Sequence, residues 1–302
     1  MSFILITGNA TLDIVNVVDH YPHEDEEMRA LRQWSDVGGN AANVARVLAA
    51  HRHRCDWAGV IASDADGKAI LKKLADCPVG TEYASHQPGN SPVSYITLNQ
   101  QNGSRTIVHH RDLPELSAED FARIPVERYD WLHFEGRNVA ELSKMLAFAR
   151  DAIFDQPLSL EIEKDREGLE TLVPLVDVVM FSRAYAQAQG FTDAQSFLLD
   201  RQAKHGCVWM TCTWGDQGAW AIDQLGVVFH APALAVEKVV DTVGAGDTFN
   251  AGLIHALATG QLLEEALQYA VKLAGQKVQQ QGFDGAYDKM ASTAVTKEIQ
   301  NP

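Results

Sequence analysis

Asp247 follows a Gly244-Ala245-Gly246 turn inside VVDTVGAGDTFNAGLIHALATG, residues 239 to 260, and this segment holds the residue types best suited to chemistry. A β-branched run ends at Asp241-Thr242, the glycine turn follows, and Phe249, Leu253 and Leu257 at i, i+4, i+8 predict a helix from about residue 247. Glycines there let backbone N–H groups converge at a helix N-terminus, where unpaired donors and the positive end of the dipole attract an anion. Such a cradle suits a phosphoryl group in transfer, whose charge spreads over its oxygens. An aspartate beside it could accept a proton from an attacking hydroxyl. Asp is also a favoured helix cap, and the isolated G-x-G-D does not choose between the two roles. Other phosphate motifs are absent: Gly67-Lys68 is followed by Ala69 with no upstream Gly, and the late turn lacks the third glycine of a dinucleotide fingerprint.

A second group lies near the start: Asp13, Gly38, Gly39, Asn40 and Asn43. The two asparagines are three apart at a predicted helix start, so their amides share a face, and the glycines allow a ligand close to the backbone. One carboxylate and two amides suit vicinal hydroxyls. Taken alone, an Asn cap after a Gly turn is the better account of it.

The elements that must position these groups alternate. FILITG (3–8) is a short apolar run ending in Gly, expected as a buried strand that opens onto a site. NAANVARVLAA (40–50) puts Val44, Val47 and Leu48 on one helical stripe. Strands are expected at 57–62, 131–136, 158–163, 176–182 and 207–213, helices at 69–76, 141–153 and about 193–205, and a hairpin near 219–229. This rhythm predicts an α/β fold with a parallel sheet covered by helices on both faces. Two regions, 12–34 and 93–110, carry consecutive strands with no helix between them, which predicts a small second sheet, a lid on the main body.

Hydrophobic residues make up 46% and charged residues 22%, as in an ordinary globular chain, so disorder is expected at most in the last dozen residues. The excess of 40 acidic over 25 basic residues gives net −15, which repels nucleic acid and anionic membrane surfaces alike. No apolar run suits a signal segment or a membrane span, so a cytoplasmic protein is expected. Cys55, Cys77, Cys207 and Cys212 form no C-x-x-C pair and are expected as reduced thiols without a zinc site. His51 with His53, and His109 with His110, lack partners at ligand spacing and read as surface or packing residues.

Together, GGNAANVA (38–45) and DTVGAGDTFNAG (241–252) resemble the paired signatures of the ribokinase/PfkB-type carbohydrate kinases, over essentially the whole chain. LDIVNVVDHYPHEDEEMRA, GSRTIVHHRDLPELSAEDF, WLHFEGRN and QGFDG are most similar to its ketohexokinase (fructokinase) branch. The resemblance implies a single ribokinase-like kinase domain over 1–302 with a β lid from about 12–34 and 93–110, and a homodimer formed through that lid. It implies phosphorylation of a primary hydroxyl of a small sugar by ATP with Mg2+, a ketohexose such as fructose giving fructose 1-phosphate, with a monovalent cation as a further candidate cofactor. A kinase for another sugar or nucleoside, such as ribose or adenosine, or a silent sugar-binding regulatory protein on the same fold, are the alternatives. Asp247 matches the catalytic base, and Gly244, Ala245 and Gly246 match the γ-phosphate anion hole. Asp13, Gly39, Asn40 and Asn43 match sugar-binding positions, and Arg105 matches an arginine near phosphates and substrate. Trp214, Gly215, Asp216, Gly218, Thr242, Gly246, Gly282 and Phe283 match the nucleotide side, where Arg183 could also face the phosphates. Many relatives carry an N-x-x-E motif for the magnesium waters; here Ser182-Arg183-Ala184-Tyr185 stands in its place, so the metal's protein ligands are unassigned.

Overall fold

The computed structural model describes residues 1–206 and 208–283; Cys207, the Asp284 and Gly285 of QGFDG, and the last dozen residues lie outside them. Short apolar runs pair first. β1 (Phe3–Thr7), β4 (Arg54–Ala58), β6 (Val79–Gly80), β10 (Trp131–Glu135), β11 (Leu158–Ile162), β12 (Val178–Phe181) and β13 (Trp209–Thr213) run parallel. Their order across the sheet, completed by β14 (Ala219–Ile222) and β15 (Val228–Ala231), is β15-β14-β13-β12-β11-β10-β1-β4-β6. The side on which successive strands are added reverses beside β1, and in open α/β sheets ligands bind at such a switch point, beyond the C-terminal strand ends.

Alternate residues of each strand enter opposite cores. Ile4, Ile6 and Met180 face α1 (Asn40–Ala50), α2 (Ala65–Asp76), α7 (Ala245–Ala258) and α8 (Leu263–Lys277). Leu5, Leu132 and Leu160 face α4 (Val139–Ala152) and α6 (Ala194–His205), with the short α5 (Arg183–Ala188) beside them and α3 (Ala118–Phe121) near α4.

A second sheet has the order β3 (Arg32–Gly38), β2 (Thr11–Val18), β8 (Val93–Asn99), β9 (Arg105–His110). β5 (Val60–Ala62) and β7 (Ser85–Gln87) form a two-stranded ribbon. Both strand-rich regions of the sequence therefore enter the small sheet, but its first hairpin runs past the expected boundary: β3 ends at Gly38 rather than residue 34, because pairing with β2 fixes its register. The main sheet is not wholly parallel, since the expected hairpin folds back antiparallel along its edge. α2 starts four residues before the expected helix because Asp64 caps it, accepting from the Gly67 N–H at 2.7 Å. α8 was not foreseen; the Glu265 side chain closes its first turn by accepting from Leu262 N–H at 3.1 Å.

Candidate active site

Strand register builds one wall. Across the small sheet Asp36, Asp13, Ser94 and His109 are direct neighbours on successive strands, so they form one row on one face. Asp13, Ser94 and His109 of that row line a cavity of about 620 Å³ between the small sheet and the C-terminal ends of the main strands. Arg105, at the start of β9, lines it too and donates to the Thr242 hydroxyl. Asp13 is fixed by a 2.7 Å hydrogen bond from Thr11 Oγ1, and burial is the main force raising its carboxyl above the usual range. Gly38 leaves room for it, because a Cβ there would collide with the Asp13 carboxylate. Gly39 sits at φ 93° directly against the Asn9 backbone and ends the turn into α1.

The opposite wall is the start of α7. Gly244, at φ 74°, is the N-cap, and no side chain caps the helix; the Ala245 N–H turns back to Thr242 O at 3.3 Å, which leaves the N–H groups after it to face an anion. Gly246 opens onto empty space, so nothing crowds a phosphate there. Asp247 lies in the first turn rather than at the cap, and its Oδ2 accepts a 2.7 Å hydrogen bond from Asn43 Nδ2 of α1. Asn43 Oδ1 is buried with no partner among the described residues, and Asn43 lines the cavity, which leaves an acceptor for a hydroxyl beside Asp247. Burial raises the Asp247 carboxyl to about 7 against the opposing Asn43 bond, with Glu163, Glu135 and Asp13 adding to the rise. The floor is β11: Glu161 accepts from Asn40 Nδ2 at 3.2 Å and from Asn250 Nδ2 at 2.9 Å.

The pfkB family carbohydrate kinase model matches residues 1–290. The chain belongs to this family. It is 39% identical over 292 residues to ketohexokinase of Mus musculus, covering 93% of this chain and 98% of that one. Ribokinase of Arabidopsis thaliana, solved with ribose and ATP, superposes with TM-score 0.80 at 22% identity, over 96% of this chain and 97% of that one. Adenosine kinase of Sinorhizobium meliloti gives 0.80 at 20% identity, over 97% and 99%. This pfkB-family chain is therefore a sugar kinase, a phosphotransferase with an alcohol acceptor acting on a small sugar, on a ribokinase-like fold. Sugar kinases of the family use ATP and a divalent metal.

The cavity gathers Asp13, Gly39, Asn40, Asn43, Arg105, Thr242, Gly244, Gly246 and Asp247. The remaining expected residues lie outside its lining. Ala245 is the first residue of α7. Trp214 buries its side chain in the α4/α6 core, although its neighbour Thr213 reaches the cavity. Gly215 and Asp216 form an exposed turn closed by Gly218, with Arg183 packed close to Gly215. Gly282 donates from N–H to Asp241, and Phe283 is buried directly under Gly244, bracing the cradle from behind.

Ser182 and Tyr185 are both engaged: Ser182 Oγ donates to Glu163 O at 2.6 Å, and Tyr185 donates to Glu170 at 3.1 Å. Among the described residues no three His, Cys, Asp or Glu side chains gather to hold a metal. The cradle thus fits the phosphates, while no acidic cage fits the metal, which would be carried on phosphate oxygens and water.

Cavity residues that sequence reasoning missed include Glu161, Glu163, Asn250, Arg137 and His109. Asn250 is visible in DTFNAG, three residues after Asp247 and so on the same helical face, and was the one with a local signal. His51 and His53 also pack together: His53 Nε2 lies 2.8 Å from His255 Nδ1, and the His51 and His255 rings are 4.7 Å apart. Among the described residues no helix is long and apolar enough to cross a membrane.

Proposed function

We propose that the chain transfers the γ-phosphoryl group of Mg2+-ATP to a primary hydroxyl of a ketohexose, fructose giving fructose 1-phosphate. The observation that carries this is the Asn43–Asp247 pair, which puts a hydroxyl acceptor and a proton acceptor side by side at an uncapped helix N-terminus. In this mechanism Asp13, Asn40 and Asn43 hold sugar hydroxyls against the backbone at Gly39. Asp247 takes the hydroxyl proton as the sugar oxygen bonds to phosphorus and the bond to ADP breaks. N–H groups of the Gly244-Ala245-Gly246 turn hold the γ-phosphate oxygens, and Arg105 and Thr242 approach from the β9 side. Mg2+ supplies charge neutralisation on the phosphates. Gly215, Asp216 and Gly218, with Arg183, border the nucleotide in the same proposal, and the backbone of Trp214 and Gly282 flanks it.

The small sheet serves as lid on a single kinase domain and as the contact of a homodimer. Among the described residues Cys55, Cys77 and Cys212 are free thiols, which supports a reducing cytoplasm. The ketose assignment draws on the likeness to mouse ketohexokinase. A coupled ADP-release assay over fructose, other ketoses, ribose and adenosine tests it, with turnover expected on ketoses. Turnover on ribose or adenosine alone would overturn the substrate, and sugar binding without ADP release would overturn the kinase.

A further inference from the structure

Glu161 is buried to 6% exposure, yet its partners are neutral amides and it has no ion-pair partner among the described residues. Its surroundings are hostile to a carboxyl group. Burial first, then Asp247 from α7, Glu135 from β10 and Glu163 beyond its own strand all oppose its ionisation and raise its pKa, and the Asn40 amide works against that rise. Cations facing the same cavity are engaged elsewhere: Arg137 with Glu135 and Glu115, Lys164 with Glu163, Arg166 with the Gly136 carbonyl and Arg105 with the Thr242 hydroxyl. An acid with these neighbours costs stability, and a leucine or glutamine of similar volume would be cheaper. Its hydrogen bonds show what it does instead. Asn40 Nδ2 reaches both Glu161 oxygens at 3.2 Å, and Glu163 at 3.3 Å; Asn250 Nδ2 reaches Glu161 Oε1 at 2.9 Å.

We propose that Glu161 is a positioning residue for phosphoryl transfer, tying the Asn40 amide on α1 to Asn250 on the helix that carries Asp247. The inference rests on the sugar-kinase site proposed above. With its N–H groups held from below, Asn40 is left to offer its carbonyl oxygen to a sugar hydroxyl. Because the same carboxyl anchors α7 one turn after Asp247, it sets the separation between bound hydroxyl and base, where small misplacements are expensive. Rotation of either amide, or a shift of α7 against α1, breaks the tie.

The test is Glu161→Gln and Glu161→Leu in the full chain, read by sugar KM, ATP KM, kcat and melting temperature. Gln keeps the shape but turns an N–H toward the amide donors; Leu removes every acceptor. Expected are a sugar KM raised about tenfold or more and a lower kcat, with ATP KM within about twofold and a melting temperature unchanged or higher. Glu161→Asp, which keeps the acceptor oxygens, recovers part of the loss. A lower melting temperature with all kinetic constants damaged alike would make Glu161 a prop of the fold and overturn the inference, as would unchanged kinetics. Fructose-induced thermal shift of wild type and Glu161→Gln reads the same loss without turnover. A wild type that binds fructose but releases no ADP would sink the kinase and leave this comparison decisive; equal shifts in both proteins would sink the inference alone.

Discussion

Two forces oppose each other at Asp247. The positive end of α7 favours its carboxylate, which by itself would make a weak, permanently ionised base. Burial works the other way and wins, helped by Glu163, Glu135 and Asp13, and lifts the group to about 7. The consequence is a pH dependence. Only the ionised form accepts a proton, so kcat should hold above about pH 7 and fall as pH drops through that value, a limb that Asp247→Asn lacks. Asp247→Asn keeps the Asn43 contact surface, removes the acceptor charge and should lower kcat about 10²–10⁴-fold with little change in sugar affinity. Asp13→Asn should act mainly on sugar KM, since in the proposed mechanism Asp13 holds hydroxyls before and during transfer. Steady-state kinetics from pH 5.5 to 8.5, with folding checked by circular dichroism, decides between them. Near-normal kcat in Asp247→Asn would show that the residue serves only structure.

The proposed anion cradle is held by a neighbouring helix as well as its own glycines. Lys277, at the end of α8 and 1% exposed, places Nζ 2.9 Å from Asp241 Oδ2 and 3.1 Å from Asp241 O. The same Asp241 carboxylate accepts from the Val243 and Gly282 N–H groups at 2.9 and 3.0 Å. One buried ion pair therefore joins the loop before Gly244 to the turn that carries Phe283. Burial lowers the Lys277 ammonium pKa and Asp241 counters it, so the pair stands or falls together. Lys277→Met should leave a buried carboxylate uncompensated, cost about 3–5 kcal/mol of stability and raise ATP KM more than sugar KM. Urea unfolding and substrate titrations measure both. Adding Asp241→Asn to it should recover part of the stability, because it removes the stranded charge; a single variant as stable as wild type would show that the pair braces nothing.

At the scale of the whole molecule the small sheet presents two open edges, β3 and β9. All six residues of β9 are exposed, including Ile107 and Val108, and Tyr95 stands exposed on β8. Unpaired edges with apolar side chains invite a second copy, and pairing through them would also fix the position of Asp13 and Arg105 over the cavity. A homodimer is expected in light scattering at micromolar concentration. Ile107→Lys with Val108→Glu should shift it toward monomer, whereas a wild type that is monomeric throughout would refute the lid contact.

Much of this protein could be read without coordinates. Period-two and period-3.6 patterns are local, so α1, α4 and α6 and the strands 131–135 and 158–162 fall close to where the residues predict them. Glycine spacing is local too, and it pointed to the uncapped helix start at Gly244. Hydrogen bonds across the chain are not local. Asn43 and Asp247 meet across a sequence separation of 204, and Glu161 meets Asn40 across 121 and Asn250 across 89. No periodicity encodes those meetings, because they depend on sheet order and on α1 packing beside α7. The sequence alone determined which residue types stand at helix starts and strand ends; the tertiary structure decided which of them touch. It also decided how much water Asp247 and Glu161 lose, and burial, which exists only once the chain has folded, sets the basicity of the proposed base.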